Sequence, residues 1–294
     1  MIQRPVPSLS DLSVTEFLTL SRAGFLPHGL VIGSSVFNAG QFTQDFKGFW
    51  DALSSAFSGA APQYDTREAA QLSQSMRAAR ALAIHRMHLQ ASHFGAEGVV
   101  GVRLSVEHHQ WRGGNQVAKF VALGTAIGFD PSHAPAEFRQ SPCLRLANGE
   151  PFTSSLAGQD FVSLLRAGYR PVTVATGTCV YQIDARDAAR YAGYNAEMVQ
   201  YTQAFIDARE TAMARLQYDL FQEWPAGHPD CPIGLVGMTV TETVYGGRGS
   251  GRRYQGPPVV EFSAVGTAIA PLHPNDPRRA KTRPKPFTAV PLDK

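Results

Sequence analysis

The chain has 294 residues, 44% of them hydrophobic and 17% charged. This balance excludes disorder over most of the length, and at roughly 100–200 residues per domain the length favours two domains over one. The net charge of +3 is localised. Residues 276–294 carry Arg278, Arg279, Lys281, Arg283, Lys285 and Lys294 against Asp276 and Asp293, which leaves a body close to neutral with no global field for nucleic acid.

The first residues, MIQRPVPSLSDLS, lack the continuous apolar core of a signal peptide. No apolar run approaches the ~18 residues of a membrane-spanning helix. Cys143, Cys179 and Cys231 are odd in number and far apart, so the chain reads as cytoplasmic with reduced thiols. Ser13-Val-Thr-Glu16 has capping-box spacing and opens a short helix that ends at Gly24, with Pro27 three residues on. Leu30 to Phe37 is rich in β-branched residues and reads as a strand. A short helix is expected over 42–57, then a Gly/Ser/Ala-rich break near 58–62, then a long helix from Glu68 to His93. Gly98–Trp111 and Val117–Phe129 read as two strands around the turn Arg112–Asn115. Every second residue of Val100, Val102, Leu104 and Val106 is apolar, the pattern of a half-buried strand.

Residues 131–155, rich in Pro, Ser and Ala without a period, read as a linker over the surface. The order then starts again: a short helix ending at Gly168, a strand over 172–183, and a long helix. In that helix Met198, Tyr201, Phe205, Ala208, Ala212, Leu216 and Leu220 step by three or four, with Asn195 as a plausible cap. Strands over 233–245 and 259–270 flank the loop 246–256. The tail after Pro271 is basic and proline-rich.

The second passage copies the first. Between Glu16–Phe37 and Asp160–Tyr181, eight of 22 positions are identical without a gap, among them Gly24/Gly168, Pro27/Pro171 and Gly33/Gly177. FVALGTAI from Phe120 and FSAVGTAI from Phe262 agree at six of eight, and between these blocks Val100-Gly101 and Val236-Gly237 each follow a long helical segment. Three matched blocks in one order mark two copies of one domain, 12–130 and 156–271, with a basic tail at 272–294. Each is a long helix on a small antiparallel sheet. Such a thin unit buries a limited core alone, so association is expected.

Gly33 to Phe37, Arg80-Ala-Leu-Ala83, Gly95-Ala-Glu-Gly-Val-Val-Gly101 and Gly124-Thr-Ala126 together resemble the YbjQ family, which carries a heavy-metal-binding label. The second copy keeps Gly177 to Tyr181, Arg209-Glu-Thr-Ala212, Leu235-Val-Gly237 and Gly266-Thr-Ala268. It departs at His228-Pro-Asp-Cys-Pro-Ile233. The resemblance implies an α+β fold of two tandem dodecin-like β-α-β-β units and a ring, typically a pentamer. It implies no defined reaction.

The label makes metal the first question. His85 and His88 lie three apart on one helix with His93 near its end, but Ala214 and Gln217 replace the first two in the second copy. His108 and His109 alternate on a strand, and the cysteines show no CxxC spacing. Solvated or capped histidines are the favoured reading. Arg80 and Arg209 share one helical position; an anchor to an acid or carbonyl, even across a subunit boundary, is favoured over an anion-binding ring. Arg248, Arg252 and Arg253 in the loop 246–256 lack P-loop order. The basic tail can bind an anionic partner or merely solubilise. No GxSxG, HExxH or GxGxxG context appears, so no catalytic, cofactor-binding or metal-binding residue is assigned. The reading is a cytoplasmic, non-enzymatic protein that assembles with itself into a closed homo-oligomer, a pentamer or a multiple of five, without cofactor or nucleic acid. The alternative is a metal- or small-ligand-binding module using the histidines of the first copy.

Overall fold

A computed structural model describes residues 9–38, 67–110, 116–130, 132–134, 144–183, 195, 197–225, 227–245 and 259–273. The expected short helix at 42–57, the turn at 112–115, the loop at 246–256, Cys143 and the basic tail lie outside them.

Helix α1 (Val14–Arg22) opens as its capping box predicts: Glu16 N–H donates to Ser13 Oγ at 3.3 Å, and Ser13 N–H donates to Glu16 Oε2 at 2.7 Å. Gly24, at φ 84°, turns the chain into β1 (Phe25–Asn38); Gly168, at φ 81°, does the same between α3 (Gly158–Arg166) and β6 (Tyr169–Gln182). The first half continues with β2 (Arg67–Glu68), α2 (Ala70–His93), β3 (Gly98–Gln110) and β4 (Gln116–Phe129). The second begins with β5 (Phe152–Thr153) before α3 and follows β6 with α4 (Val199–Glu223), β7 (Gly234–Tyr245) and β8 (Val259–Pro271). The fold is α+β, with two small sheets and four helices among the described residues.

The sheets are ordered β1-β4-β3-β5 and β2-β6-β8-β7. Their registers run in parallel: Gly33 faces Ala122 as Gly177 faces Ala264, and β3 and β7 each bulge, beside Gly101 and Gly237. Helix α2 packs on β1 and β4, and α4 on β6 and β8. The strand glycines permit this close approach. A Cβ at Gly33 would collide with the Ala83 carbonyl oxygen; one at Gly177 would sit 2.5 Å from that of Ala212. Small residues therefore line the helix faces: Ala79, Ala83 and Ala91 in α2, and Ala204, Ala208 and Ala212 in α4, are fully buried or nearly so.

Three expectations change. Each sheet gains a fourth, two-residue strand: β2 reaches from the first half to β6, and β5, in the joint between the halves, pairs with β3. The segment that reads as a surface linker is partly interior, with Phe152 and Ser154 fully buried, because it fills the free edge of β3. Asn195 does not cap α4. The N-cap residue is Met198, with no side-chain cap, as Ala69 is for α2.

Candidate functional site

The most elaborate chemistry in the molecule lies along the seam between its halves. On one side β5 runs parallel to β3, Gly98 opposite Phe152 and Val99 opposite Thr153. The pairing extends on both sides: Phe152 N–H donates to the Glu97 carbonyl (3.2 Å), Ser154 N–H to that of Val99 (2.8 Å), Val102 N–H to that of Ser154 (2.9 Å), and Gly101 N–H to that of Leu156 (2.9 Å). On the other side β2 lies antiparallel to β6. Ala69 N–H donates to the Val180 carbonyl (2.8 Å), and Val180 N–H donates to Ser73 Oγ (2.9 Å). The joint thus closes an edge of the first half's sheet and the first half an edge of the second's, removing rows of open backbone groups.

Arg80 is the charged centre of this seam. It projects from α2 into the second half, where Nη2 donates to Glu261 Oε1 at 2.7 Å and Nη1 to Thr178 Oγ1. Its guanidinium also lies 5.6 Å from the centre of the Phe120 ring. The side chains of Arg80 and Glu261 are 5% and 8% exposed, so the pair sits in a low-dielectric interior. The anchoring role expected for Arg80 is what the geometry provides. Arg209 lies half-buried at the matching position of α4.

Two further ion pairs cross near the surface. Arg77 meets Asp219 at 2.5 Å, and Arg215 grips Glu68 with both terminal nitrogens, Nη2 to Oε2 at 2.8 Å. Burial opposes ionisation of Glu68, but Arg215, Ser73 and Cys179 outweigh it and hold the carboxyl below its ordinary pKa. Cys179 donates to Glu68 Oε1 at 3.5 Å; burial and that neighbouring charge push its thiol up to about 12. It is an interior thiol and not a nucleophile.

Hydroxyls and aromatics complete the seam. Thr267 Oγ1 accepts from Ser155 N–H at 2.9 Å, and Thr153 Oγ1 accepts from Val174 N–H at 2.9 Å. Phe152 stacks on Phe161 at 5.4 Å, and Phe161 meets the edge of Phe25 at 5.2 Å. One buried core therefore contains Phe25, Val100 and Ile127 of the first half together with Phe161, Val172 and Phe262 of the second.

Beside the seam, α2, α4, β6 and residues 146–153 enclose a cleft of about 380 Å³. It is lined by His85, His88, Glu150, Asp219, Glu223 and Trp224, among others. His88 Nε2 is 2.7 Å from the Pro151 carbonyl oxygen, and His85 is exposed. Burial, then the charges of Glu150 and Asp219, push the Glu223 carboxyl above its ordinary pKa. His93 is exposed at the end of α2, away from this lining. Among the described residues no three or more His, Cys, Asp and Glu side chains are grouped to hold a metal ion.

Glu68, Thr178, Arg215 and Glu261 were not anticipated from sequence. Glu261 had a signal: it is the lone charged residue in the mostly apolar run Val259–Val265. The departing segment at 228–233 also has a purpose. Asp230, 1% exposed, pairs with Arg170 at the start of β6 and accepts from Ala147 N–H at 2.8 Å, tying both to the β7 approach.

Residues 27–130 match the family described as "Putative heavy-metal-binding" (YbjQ). Over 263 residues the chain is 36% identical to the encapsulin nanocompartment protein Rv1762c of Mycobacterium tuberculosis, spanning 88% of this chain and 84% of that protein. No helix among the described residues is long and apolar enough to cross a membrane. With a third of positions shared across nearly the whole of both chains, this protein belongs to the family of the encapsulin nanocompartment protein Rv1762c.

Proposed function

We propose that the protein is a non-enzymatic, cytoplasmic structural protein that assembles with itself into a closed homo-oligomer, a ring or stacked rings. In this reading residues 12–130 and 156–271 are two copies of one YbjQ-like, dodecin-like domain, joined by 131–155 and followed by the basic tail. The observation that carries it is the outer edge left on each sheet: β2 and β5 close one edge apiece within the chain, and β1 and β7 have no further partner strand among the described residues. Their exposed residues fit the same role. Ile32 and Val36 on β1 are 48% and 58% exposed, and Val240 and Val244 on β7 are 52% and 47% exposed. Apolar edge strands of this kind otherwise invite uncontrolled pairing. The name of its relative, an encapsulin nanocompartment protein, supports an assembling role; five chains or a multiple of five is what the resemblance to the YbjQ family implies.

Native mass spectrometry of the purified chain, with and without a chelator, tests this. A discrete multiple of the chain mass, unmoved by chelation, is expected. A monomer overturns the proposal. The cleft beside His85 and His88 favours one second reading, a small-ligand or metal module. An assembly that collapses on chelation with stoichiometric loss of metal, together with loss of binding in His85→Ala/His88→Ala, would establish it instead.

A further inference from the structure

The parts that make the internal seam occur twice, but among the described residues only one set is used within the chain. Ala83 seats on Gly33 as Ala212 seats on Gly177, which aligns α2 with α4 residue by residue. In that alignment Glu68 corresponds to Glu197, Ala69 to Met198, Ser73 to Thr202, and Arg215 to Arg86. Likewise Val180 of β6 corresponds to Val36 of β1.

The second set has the shape of the first. Ser73 hydrogen-bonds to Glu68 at the start of α2, and Thr202 Oγ1 donates to Glu197 Oε1 at 3.0 Å at the start of α4. Ala69 adopts φ −82° and ψ 75°, and Met198 adopts φ −88° and ψ 76°, both without a side-chain cap. In α2 this entry serves strand pairing, since Ala69 N–H is spent on Val180. The same entry in α4 has its carboxylate, Glu197, facing solvent.

The receiving surface is also present. β1 is an edge strand of its sheet. Val36 lies opposite Lys119 in the register in which Val180 lies opposite Glu261, so its N–H and carbonyl point outward as those of Val180 do. Val180 is fully buried under α2, whereas Val36 is 58% exposed. Arg86 is exposed on the same half, resting on the Ser34 carbonyl at 2.5 Å, a contact readily exchanged for a carboxylate. The opposite margin matches too. Ser155 N–H donates to Thr267 Oγ1 at 2.9 Å, and Asp11 N–H donates to Thr125 Oγ1 at 3.1 Å, so residues 9–12 leave the first half as 153–156 leave the second. Leu9 is 75% exposed, and the edge of β7 that corresponds to the β3 edge is free among the described residues.

We propose that a second copy of this chain docks through a seam that repeats the internal one. The start of α4 and the edge of β7 on one copy take the edge of β1 and residues 9–12 of the next, with Glu197 meeting Arg86 across the boundary. Both contacts join the same two halves of the same two copies, so the interface is head-to-tail and propagates until it closes. This rests on the self-assembly reading above. It adds a prediction: each chain brings two sheets, so a closed array contains an even number of them. The buried pair is not repeated, because Lys119 stands where Glu261 does and pairs with Glu107 at 3.2 Å. The seam between copies also lacks the chain connection that tethers the internal one, so it separates first.

The test is a charge exchange read by native mass spectrometry and light scattering on the full chain. Glu197→Arg and Arg86→Glu, each alone, should weaken assembly at least ~10-fold in the concentration for half-dissociation, since like charges then face each other across the seam. Combined in one chain they restore it. Val36→Lys, on the same edge, should dissociate the assembly independently. All three positions are exposed, and unchanged urea unfolding of the dissociated chain verifies the fold. Single variants that assemble like the wild type, or a double variant as dissociated as either single one, overturn this docking surface. A monomeric wild type overturns the self-assembly reading itself.

Discussion

Removing the carboxylate of Glu261 should cost the protein about 3–5 kcal/mol, the usual consequence of stranding one member of a buried ion pair. Arg80 would keep its bond to Thr178 and its place near Phe120, but a cation–π contact of ~1–2 kcal/mol does not replace a charge partner at 2.7 Å. With side chains 5% and 8% exposed, little water reaches the pair to compensate. Replacing both partners, as in Arg80→Met/Glu261→Leu, removes the stranded charge. That variant should lie within ~2 kcal/mol of the wild type, because the pair's own desolvation cost disappears with it. Urea unfolding followed by circular dichroism at fixed protein concentration is the appropriate assay, since a neutral denaturant leaves ionic screening unchanged and the slope reports any change in the surface exposed. The reasoning fails if Glu261→Ala unfolds within ~0.5 kcal/mol of the wild type, the range of an ordinary surface substitution. It fails equally if the double variant costs the sum of the two single ones.

Three further outcomes follow from the geometry. Gly177→Ala, whose methyl would sit 2.5 Å from the Ala212 carbonyl, should lose ~1–3 kcal/mol, and a thermal melt unchanged from wild type would contradict the helix seat. The folded pKa of Glu68 lies below the ordinary 4.5, so its contribution is complete above 4.5 and is lost as pH falls through the folded value; the urea midpoints of wild type and Glu68→Gln should differ at neutral pH and converge in acid. A difference that grows in acid would contradict the pairing with Arg215. Cys179, buried and with its thiol pushed up to about 12, should resist alkylation until urea unfolds the chain, and peptide mapping that finds it labelled alongside Cys231 in the folded state would contradict its placement.

The strands, the long helices and the capping box were legible because each leaves a periodic or fixed-spacing trace. Gly33 and Gly177 were legible as matched positions, although their reason, the carbonyls of Ala83 and Ala212, needed coordinates. The seam was not legible. A two-residue strand has no period to detect; the partner of Arg67–Glu68 lies more than a hundred residues away, and Phe152–Thr153 lies in a segment that composition marks as loop. Asn195 misled for a related reason: its residue type is right for a cap, but the helix is entered at Met198 with φ −88° and ψ 76°, the backbone that Ala69 also adopts, and with no side-chain cap. Arg80 was identified as an anchor, while its acid could not be named, because Glu261 stands 181 positions on.

That separation has a consequence for how the chain is made. At a synthesis rate of ~5–20 residues per second, Arg80 leaves the ribosome roughly 10–40 s before the residue that neutralises it. The free edge of β3 waits for residues 152 and 153, and β2 waits for β6, whose sheet cannot form until its central strand, β8, has emerged. A nascent first half is therefore an unfinished object with a charged residue where its interior will be and one sheet edge open. The last strand made completes both halves at once, so the chain matures late and as a whole, and a product truncated before β8 is a client for chaperones rather than a smaller working protein.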